Sequence, residues 1–174
     1  MNEQAFTKIC QLFGEKDITY QVCVHDVCRT SEESAKVRKA AGMPEAVGAK
    51  ALLCKVDWRT GESSFTTFVL PGSHTLDKTK LRAGLPNLKQ FRFATQEELM
   101  ALAGVVPGCM PPFGNQIFPN ISKLYISEQI SKFERVAFNA AKLDTSIWLL
   151  TNDYLQAVTP DGVFDFSVPK INLL

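Results

Sequence analysis

The sequence predicts a mixed α/β protein built around one hydrophobic core. Segments with the periodicity of amphipathic helices are interspersed with segments in which apolar and polar residues alternate, as they do in strands. Hairpin turns join some strands and helices join others, which is typical of a mixed sheet. The length suits one domain over residues 1–174, without internal repeats or a linker.

Two helices flank a strand at the start of the chain. Apolar side chains at i, i+3, i+4 and i+7 predict a helix over Asn2–Phe13. Alternation predicts a strand over Tyr20–Val24. Thr30 and Glu33 have the spacing of a capping box, which predicts that a second helix opens at Thr30.

A β-hairpin is predicted next. Its strands cover Lys50–Trp58 and Ser64–Leu70, and an Arg-Thr-Gly-Glu turn joins them. A short helix around Asp77–Ala83 and a strand around Phe91–Phe93 are expected to follow.

An irregular loop is predicted from Gly104 to Asn120. A second capping box at residues 95–98 opens the helix before it, and Gly104 ends that helix. The 17 residues of the loop include four prolines and three glycines, which excludes regular structure. Loops of this length are uncommon in compact domains and tend to be functional.

The C-terminal part of the chain is predicted to return to strands. They cover Lys123–Ile126, Arg135–Phe138 and Ser146–Leu150. Thr151 is expected to cap a last helix that reaches Val158.

Composition and charge exclude several classes of function. The net charge of +1 gives no overall field that would hold the protein on DNA or on a membrane. No run of 18 apolar residues and no signal-peptide core occur, so a cytoplasmic protein is expected. The five cysteines lack a C-x-x-C pair and the two histidines lack zinc spacing, so neither disulfides nor a metal are expected.

Lys50 is the first candidate for chemistry. Strand alternation places it on the face of Leu52, Cys54 and Val56, whereas Lys55 lies on the opposite face. A lysine that shares a face with apolar side chains either points into a pocket or lifts its ammonium group into water. The pattern leaves both interpretations open.

The glycine- and proline-rich loop is the second candidate. Its glycines let backbone N–H groups approach a ligand closely, and such groups form oxyanion holes. A rigid loop without a ligand would have the same composition. Cys109 lies in this loop, but a nucleophilic cysteine needs an oriented base and the sequence shows none nearby, so a place in a pocket wall is favoured.

His25 precedes the second predicted helix by a few residues. A histidine near a helix N-terminus binds an anion or orients a substrate, and a solvated loop histidine is the alternative. Motifs of the P-loop, Rossmann, serine-hydrolase and zinc-protease types are absent, so none of those chemistries is indicated.

Five segments, in order, resemble the YbaK and prolyl-tRNA synthetase-associated editing domains. They are HDVCRTSEESAKVR, VGAKALLCKV, FVLPGSHTLDKTKL, FATQEELMALAGVVPGCMPPFG and ISEQISKFERVAFNAAKLDTSIWLLTNDYL, within residues 20–158. Within that group the chain looks most similar to the stand-alone YeaK-like deacylases. The resemblance implies a central mixed β-sheet, curved and barrel-like and flanked by helices, and an enzyme without cofactors.

The resemblance also implies the reaction. It is hydrolysis of the ester bond of an aminoacyl-tRNA that carries a wrong small amino acid, such as serine, threonine or alanine. The partner is then the acceptor end of the tRNA, whose terminal 2′-hydroxyl helps to activate water, while the protein supplies positioning and charge stabilisation. A tRNA- or ligand-binding module without turnover is the alternative, and whether the protein forms a homodimer stays open.

The site residues follow from the same resemblance. Those expected to act in catalysis are Lys50, Gly104, Pro107 and Gly108. Those expected to bind substrate are His25, Thr30, Cys109, Pro112, Phe113, Gly114, Asn139 and Ser146. Ala141 departs from the family pattern, because many relatives have glycine there, and its methyl group would narrow the pocket. A basic surface that includes Arg38 and Lys80 would face the acceptor stem.

Overall fold

The computed structural model describes residues 2–171, and in that range the chain forms five α-helices, ten strands and a short 3₁₀ helix at Ile130–Lys132. The helices are α1 (Glu3–Glu15), α2 (Ser31–Ala40), α3 (Lys78–Gly84), α4 (Gln96–Ala103) and α5 (Thr151–Val158). The strands are β1 (Tyr20–Val24), β2 (Val47–Trp58), β3 (Ser63–Pro71), β4 (His74–Leu76), β5 (Leu88–Phe93), β6 (Lys123–Ser127), β7 (Arg135–Asn139), β8 (Thr145–Leu150), β9 (Gly162–Phe164) and β10 (Ser167–Pro169).

Eight of the strands form one mixed sheet. Its main path runs β1-β8-β7-β2-β3-β6-β9, and β5 pairs with β2 beside that path, while β4 and β10 form a separate ladder. The β2–β3 hairpin is antiparallel over nine residue pairs. In contrast, β2 joins β7 in parallel through only two pairs, Val47↔Val136 and Gly48↔Ala137. The predicted class, a mixed sheet flanked by helices, is confirmed.

Two clusters of buried side chains lie against β2, whereas the sequence predicted one core. Leu53 and the small residues of the same β2 face pack with α1, α4 and α5. Cys54 and Val56 face the other way and pack with Phe68 and α3. A strand that is covered on both faces carries apolar residues on both. The sequence pattern therefore does not show that these residues belong to two separate clusters. The alternation that places Lys50 with Cys54 and Val56 is confirmed.

Local signals located most helix ends correctly. Both capping boxes form, with the Thr30 and Thr95 hydroxyls accepting from the backbone N–H groups three residues on. The expected Thr151 cap is wrong, because Leu150 is the cap residue and the Thr151 hydroxyl is buried without a hydrogen-bond partner in residues 2–171. Here β8 runs directly into α5, so no loop residue is left to cap the helix. Among the helices of the described range, none is long and apolar enough to cross a membrane.

The loop after α4 is anchored at both ends. Gly104 ends the helix with a left-handed φ of 62°, and the Asn2 side chain donates to the Ala103 carbonyl at 2.7 Å. Farther along, Phe113 is fully buried among three other aromatic rings, those of Phe13, Phe138 and Tyr154. The segment is therefore irregular but fixed in place, and its middle part is left to face the site.

Ala141 has a left-handed backbone, with φ of 62°, and is fully buried. This conformation costs a non-glycine residue about 1–2 kcal/mol, which gives a physical reason for the glycine that the resemblance implies at this position. We expect Ala141→Gly to change the free energy of unfolding by less than about 1 kcal/mol, because relief of strain offsets the lost methyl group and the added chain entropy.

The neighbouring Ala140 is equally buried and is not among the residues with positive φ. Ala140→Gly is therefore the matched control and should lower the free energy of unfolding by about 1–2 kcal/mol, since it gains no relief of strain. Urea unfolding of both variants measures the difference. Equal losses at the two positions would show that the Ala141 backbone is not strained.

Candidate active site

A pocket of about 370 Å³ opens between α2, the start of β2, the end of β7 and the middle of the glycine-rich loop. Its size falls within the range of about 300–1,000 Å³ that is usual for ligand sites. Ala49, Leu52, Met110 and Phe138 give it apolar walls. Its charged lining residues are Arg29, Glu32, Arg38, Lys50 and Lys170. In the described part of the chain, four cationic side chains against one carboxylate make this a site for an anionic or strongly polarised ligand.

Lys50 lies half-buried in this pocket. Its ammonium group donates a hydrogen bond to the His74 carbonyl at 2.6 Å, and β4, which carries His74, is held by β10. An ammonium group has three donors, so the ones not used by His74 remain for a ligand. Burial lowers the pKa of Lys50, repulsion from Lys170 lowers it further, and Glu32 acts in the opposite direction.

An ion pair closes one side of the pocket. Lys170, which follows β10, lies 2.6 Å from a carboxylate oxygen of Glu32 in the first turn of α2. The hydrogen bond from Lys170 is the main reason that the pKa of Glu32 is lowered. The negative charge of Glu32 is therefore already paired with Lys170, so the other cationic side chains give the pocket an excess of positive charge.

Gly108 contacts the backbone of the segment before α2. Its φ is 97°, and a Cβ atom at this position would lie 2.6 Å from the Arg29 carbonyl oxygen and 3.1 Å from the Arg29 Cα. Both neighbours are backbone atoms, which a side chain could not displace without moving the loop. Within residues 2–171 the Gly108 N–H donates no hydrogen bond, and Gly108 lines the pocket.

A chain of hydrogen bonds holds the Gly108 loop from behind. The Asn139 amide donates to the Gly108 carbonyl at 2.9 Å. Its side-chain oxygen lies 3.2 Å from the Ser146 hydroxyl, which in turn lies 2.8 Å from His25 Nε2. The other ring nitrogen of His25 lies 2.7 Å from the Asp26 carbonyl, which only accepts, so Nδ1 carries a proton. His25 and Ser146 thus contact the site through Asn139.

The residues that the sequence singles out separate into two groups. Lys50, Thr30, Gly108 and Asn139 line the pocket. The other predicted residues lie outside the lining, and two of them, His25 and Ser146, belong to the hydrogen-bond chain. Gly104 ends α4, Pro107 is exposed beside Gly108, and the Pro112 carbonyl accepts from the Tyr154 hydroxyl at 2.7 Å. The remaining three are buried: Cys109, Phe113 and Gly114. The loop therefore reaches the pocket only through Gly108 and Met110.

Cys109 is buried, and its thiol donates to the Val106 carbonyl. Burial raises the pKa of this thiol, so it stays protonated at neutral pH and is a poor nucleophile. We expect Cys109→Ala to retain ester hydrolysis within about twofold of the unmodified protein. The check is the rate of deacylation with circular dichroism as a folding control, and a loss of 100-fold in a folded variant would restore the thiol mechanism.

The sequence missed several residues of the pocket. Ser34, Arg38 and Lys170 supply polar groups to the pocket, and none of them was assigned to the site from the sequence. Arg38 was expected on a basic surface, yet it is 8% exposed and faces the pocket. Lys80, from the same expected surface, forms a salt bridge with Asp165 at 2.6 Å. The segment of Arg38 carried no signal for this position, because neighbouring elements bury the side chain.

Metal-binding side chains do not converge in the described part of the chain. Among residues 2–171, no three His, Cys, Asp or Glu side chains lie close enough together to hold an ion. The polar groups that meet in the pocket are instead cationic side chains, hydroxyls, an amide and the free Gly108 N–H. These groups position a substrate and stabilise negative charge.

The fold and the pocket thus define a small α/β protein with a basic site for a polar ester or anion. Comparison with known proteins gives the family. The model of the aminoacyl-tRNA editing domain matches residues 25–157. The chain therefore belongs to the aminoacyl-tRNA editing domain family, as its sequence predicts, and is an aminoacyl-tRNA deacylase.

Individual relatives agree with this family. The multifunctional Ser/Thr-tRNA deacylase ProXp-y of Escherichia coli (strain K12) is 28% identical over 156 residues, which are 90% of this chain and 89% of that protein. The proline–tRNA ligase of Bordetella petrii is 34% identical over 84 residues, 48% of this chain but 14% of the ligase. A solved structure of a proposed trans-editing enzyme for prolyl-tRNA synthetase shares the fold, with a TM-score of 0.71, 18% identity, and coverage of 97% of this chain and 99% of that one.

Proposed function

We propose that the protein removes serine, threonine or alanine from mischarged tRNA in the cytoplasm, as an editing enzyme that maintains translation fidelity. The observation that carries this proposal is that one pocket is lined by the cationic Lys50 and by Gly108, whose N–H has no partner within residues 2–171. Ester hydrolysis develops negative charge on the carbonyl oxygen, and fixed donors of this kind stabilise it. The 28% identical Escherichia coli relative is named for its action on Ser- and Thr-tRNA.

The walls of the pocket support a small side chain on the substrate. Met110 and Phe138 are buried residues that narrow it, and Asn139 is committed to the Gly108 carbonyl. The Ser34 hydroxyl donates a long hydrogen bond, 3.5 Å, to the Asn139 side-chain oxygen. This hydroxyl therefore has an alternative partner in a substrate hydroxyl, which favours serine and threonine over alanine.

Water activation in this proposal comes from the substrate. Among residues 2–171, no histidine lines the pocket, and the one carboxylate of its lining, Glu32, is paired with Lys170. The protein side chains therefore offer positioning and charge stabilisation but no free general base. The 2′-hydroxyl of the terminal adenosine, adjacent to the ester, is the group we assign to activating water.

A panel of charged tRNAs tests the proposal. Purified protein is incubated with tRNAs that carry serine, threonine, alanine or a large amino acid, and released amino acid is measured over time. We expect faster release of the three small amino acids than of the large one. Binding of all these tRNAs without release would support the alternative, a binding module of the same fold.

A further inference from the structure

Arg38 presents a buried cation to the pocket. It lies in α2, is 8% exposed and contributes to the pocket lining. Among the salt bridges of residues 2–171, none includes Arg38. The ionisable groups that act to raise its pKa are the thiols of Cys28 and Cys23. The one carboxylate of the pocket, Glu32, pairs with Lys170 instead. Arg38 is thus a cation without a counter-charge in the described chain.

The surrounding backbone fixes the position of this guanidinium group. Arg38 lies one helical turn after Ser34, on the face of α2 that covers the pocket. A Cβ atom on Gly48 would lie 3.1 Å from Arg38 Nη2, so the group rests against the start of β2. Gly48 pairs with Ala137 of β7, which also lines the pocket. The fork of N–H donors is therefore held at the pocket wall and not in bulk water.

Such an arrangement is costly in the empty protein. Arginine is rarely buried unless it is paired. The free-energy cost of removing its charge from water is offset only by an interaction with a partner. Burial lowers the pKa of Arg38, yet a guanidinium group remains charged at neutral pH. A ligand that brings an anion into the pocket would supply the missing partner.

We propose that Arg38 is an anion-binding residue of the pocket and that it takes a phosphate group. The planar fork of a guanidinium group matches two phosphate oxygens. An aminoacyl ester has no free carboxylate, so the nearest anion on the substrate is the 5′-phosphate of the terminal adenosine. The assignment of the phosphate to that nucleotide rests on the proposed function, whereas the anion site itself does not.

Equilibrium binding tests this site without any need for turnover. Calorimetric titration compares adenosine 5′-monophosphate, adenosine and inorganic phosphate on the native protein, Arg38→Gln and Arg38→Lys. The native protein should bind the monophosphate at least about tenfold more tightly than adenosine, because charge-assisted hydrogen bonds are lost without the phosphate. Arg38→Gln should remove this preference, and Arg38→Lys should weaken it, since a lysine keeps the charge but not the fork.

Two controls separate the anion site from a structural role. Lys16→Gln removes an exposed charge after α1 and should leave the preference for the monophosphate intact. Thermal unfolding without ligand should find Arg38→Gln at least as stable as the native protein, because an unpaired buried charge has been removed. If Arg38→Gln does not fold, Arg38→Lys carries the test.

Two results would overturn the proposal, and a third would overturn only its assignment to a nucleotide. In the first, Arg38→Gln keeps the preference for the monophosphate unchanged. If Arg38→Gln does not fold, the same result in Arg38→Lys counts instead. The native protein does not prefer the monophosphate to adenosine. Inorganic phosphate binds as tightly as the monophosphate, which removes the nucleotide assignment. A native protein that deacylates none of the tested tRNAs but shows the Arg38-dependent preference would refute the proposed function and leave the anion site standing.

Discussion

Lys50→Ala is expected to slow single-turnover deacylation on the order of 10²-fold, which corresponds to about 2.7 kcal/mol of lost transition-state stabilisation. The ammonium group is held by the His74 carbonyl and directs its remaining donors into the pocket. Removal of the group leaves the apolar face of β2 intact, since Cys54 and Val56 pack independently of it. The variant should therefore fold normally while the rate falls.

The control for this prediction lies on the same strand. Lys55 stands on the opposite face of β2, paired with Phe65 and Arg92 of the neighbouring strands and outside the pocket. Lys55→Ala should change the rate little. Circular dichroism of both variants confirms folding, and equal rates for Lys50→Ala and the native protein would leave Lys50 as a surface charge.

The pKa of Lys50 adds a pH dependence to this prediction. Its charged form exists below the pKa, and burial together with repulsion from Lys170 lowers that pKa from 10.5. The contribution of Lys50 to the rate should therefore be present at neutral pH and lost, as pH rises, before an ordinary lysine would titrate. In Lys50→Ala this decline should be absent from the pH profile.

Gly108→Ala should reduce the deacylation rate by at least about 100-fold. The added methyl group would meet the Arg29 carbonyl oxygen at 2.6 Å, so the loop must move. A displacement of about 1 Å at a reacting centre costs on the order of 10²-fold in rate. Movement also separates the Gly108 carbonyl from Asn139, which breaks the link to Ser146 and His25.

Gly61 provides the matched control for Gly108. Its φ of 91° is close to the 97° of Gly108, but a Cβ atom there meets nothing within 4 Å. Gly61→Ala should therefore lose about 1 kcal/mol of stability through backbone strain and keep its rate. Single-turnover kinetics and urea unfolding of the two variants make the comparison. If both variants lost stability equally and kept the native rate, close packing of Gly108 against Arg29 would have no role in the site.

Sequence reasoning succeeded where the signal is local. The capping boxes at Thr30 and Thr95 and the alternation of β2 depend on neighbouring residues, so they fixed two helix starts and the face on which Lys50 lies. The resemblance to editing domains added the family, which the match over residues 25–157 confirms.

The rest depends on contacts between distant parts of the chain. β4, β9 and β10 have three residues each, too few to show a period of two. Lys170 enters the pocket only because β10 pairs with β4. Composition marked the loop as irregular, but only the approach of Arg29 distinguishes Gly108 from the other glycines. Arg38 looked like one more surface charge, since burial by neighbouring elements leaves no mark in its own segment.

The order of strands in the sheet has a consequence for synthesis of the chain on the ribosome. β1 pairs with β8, as in Tyr20↔Leu149, so the first strand waits for a partner made more than a hundred residues later. Pairing over such separations is slow, because the chain must lose loop-closure entropy before the stabilising contacts between the strands can form. The pocket also draws on both Arg29 and Lys170. A nascent chain thus has no complete pocket until Lys170 has been made, long after Arg29 and α2.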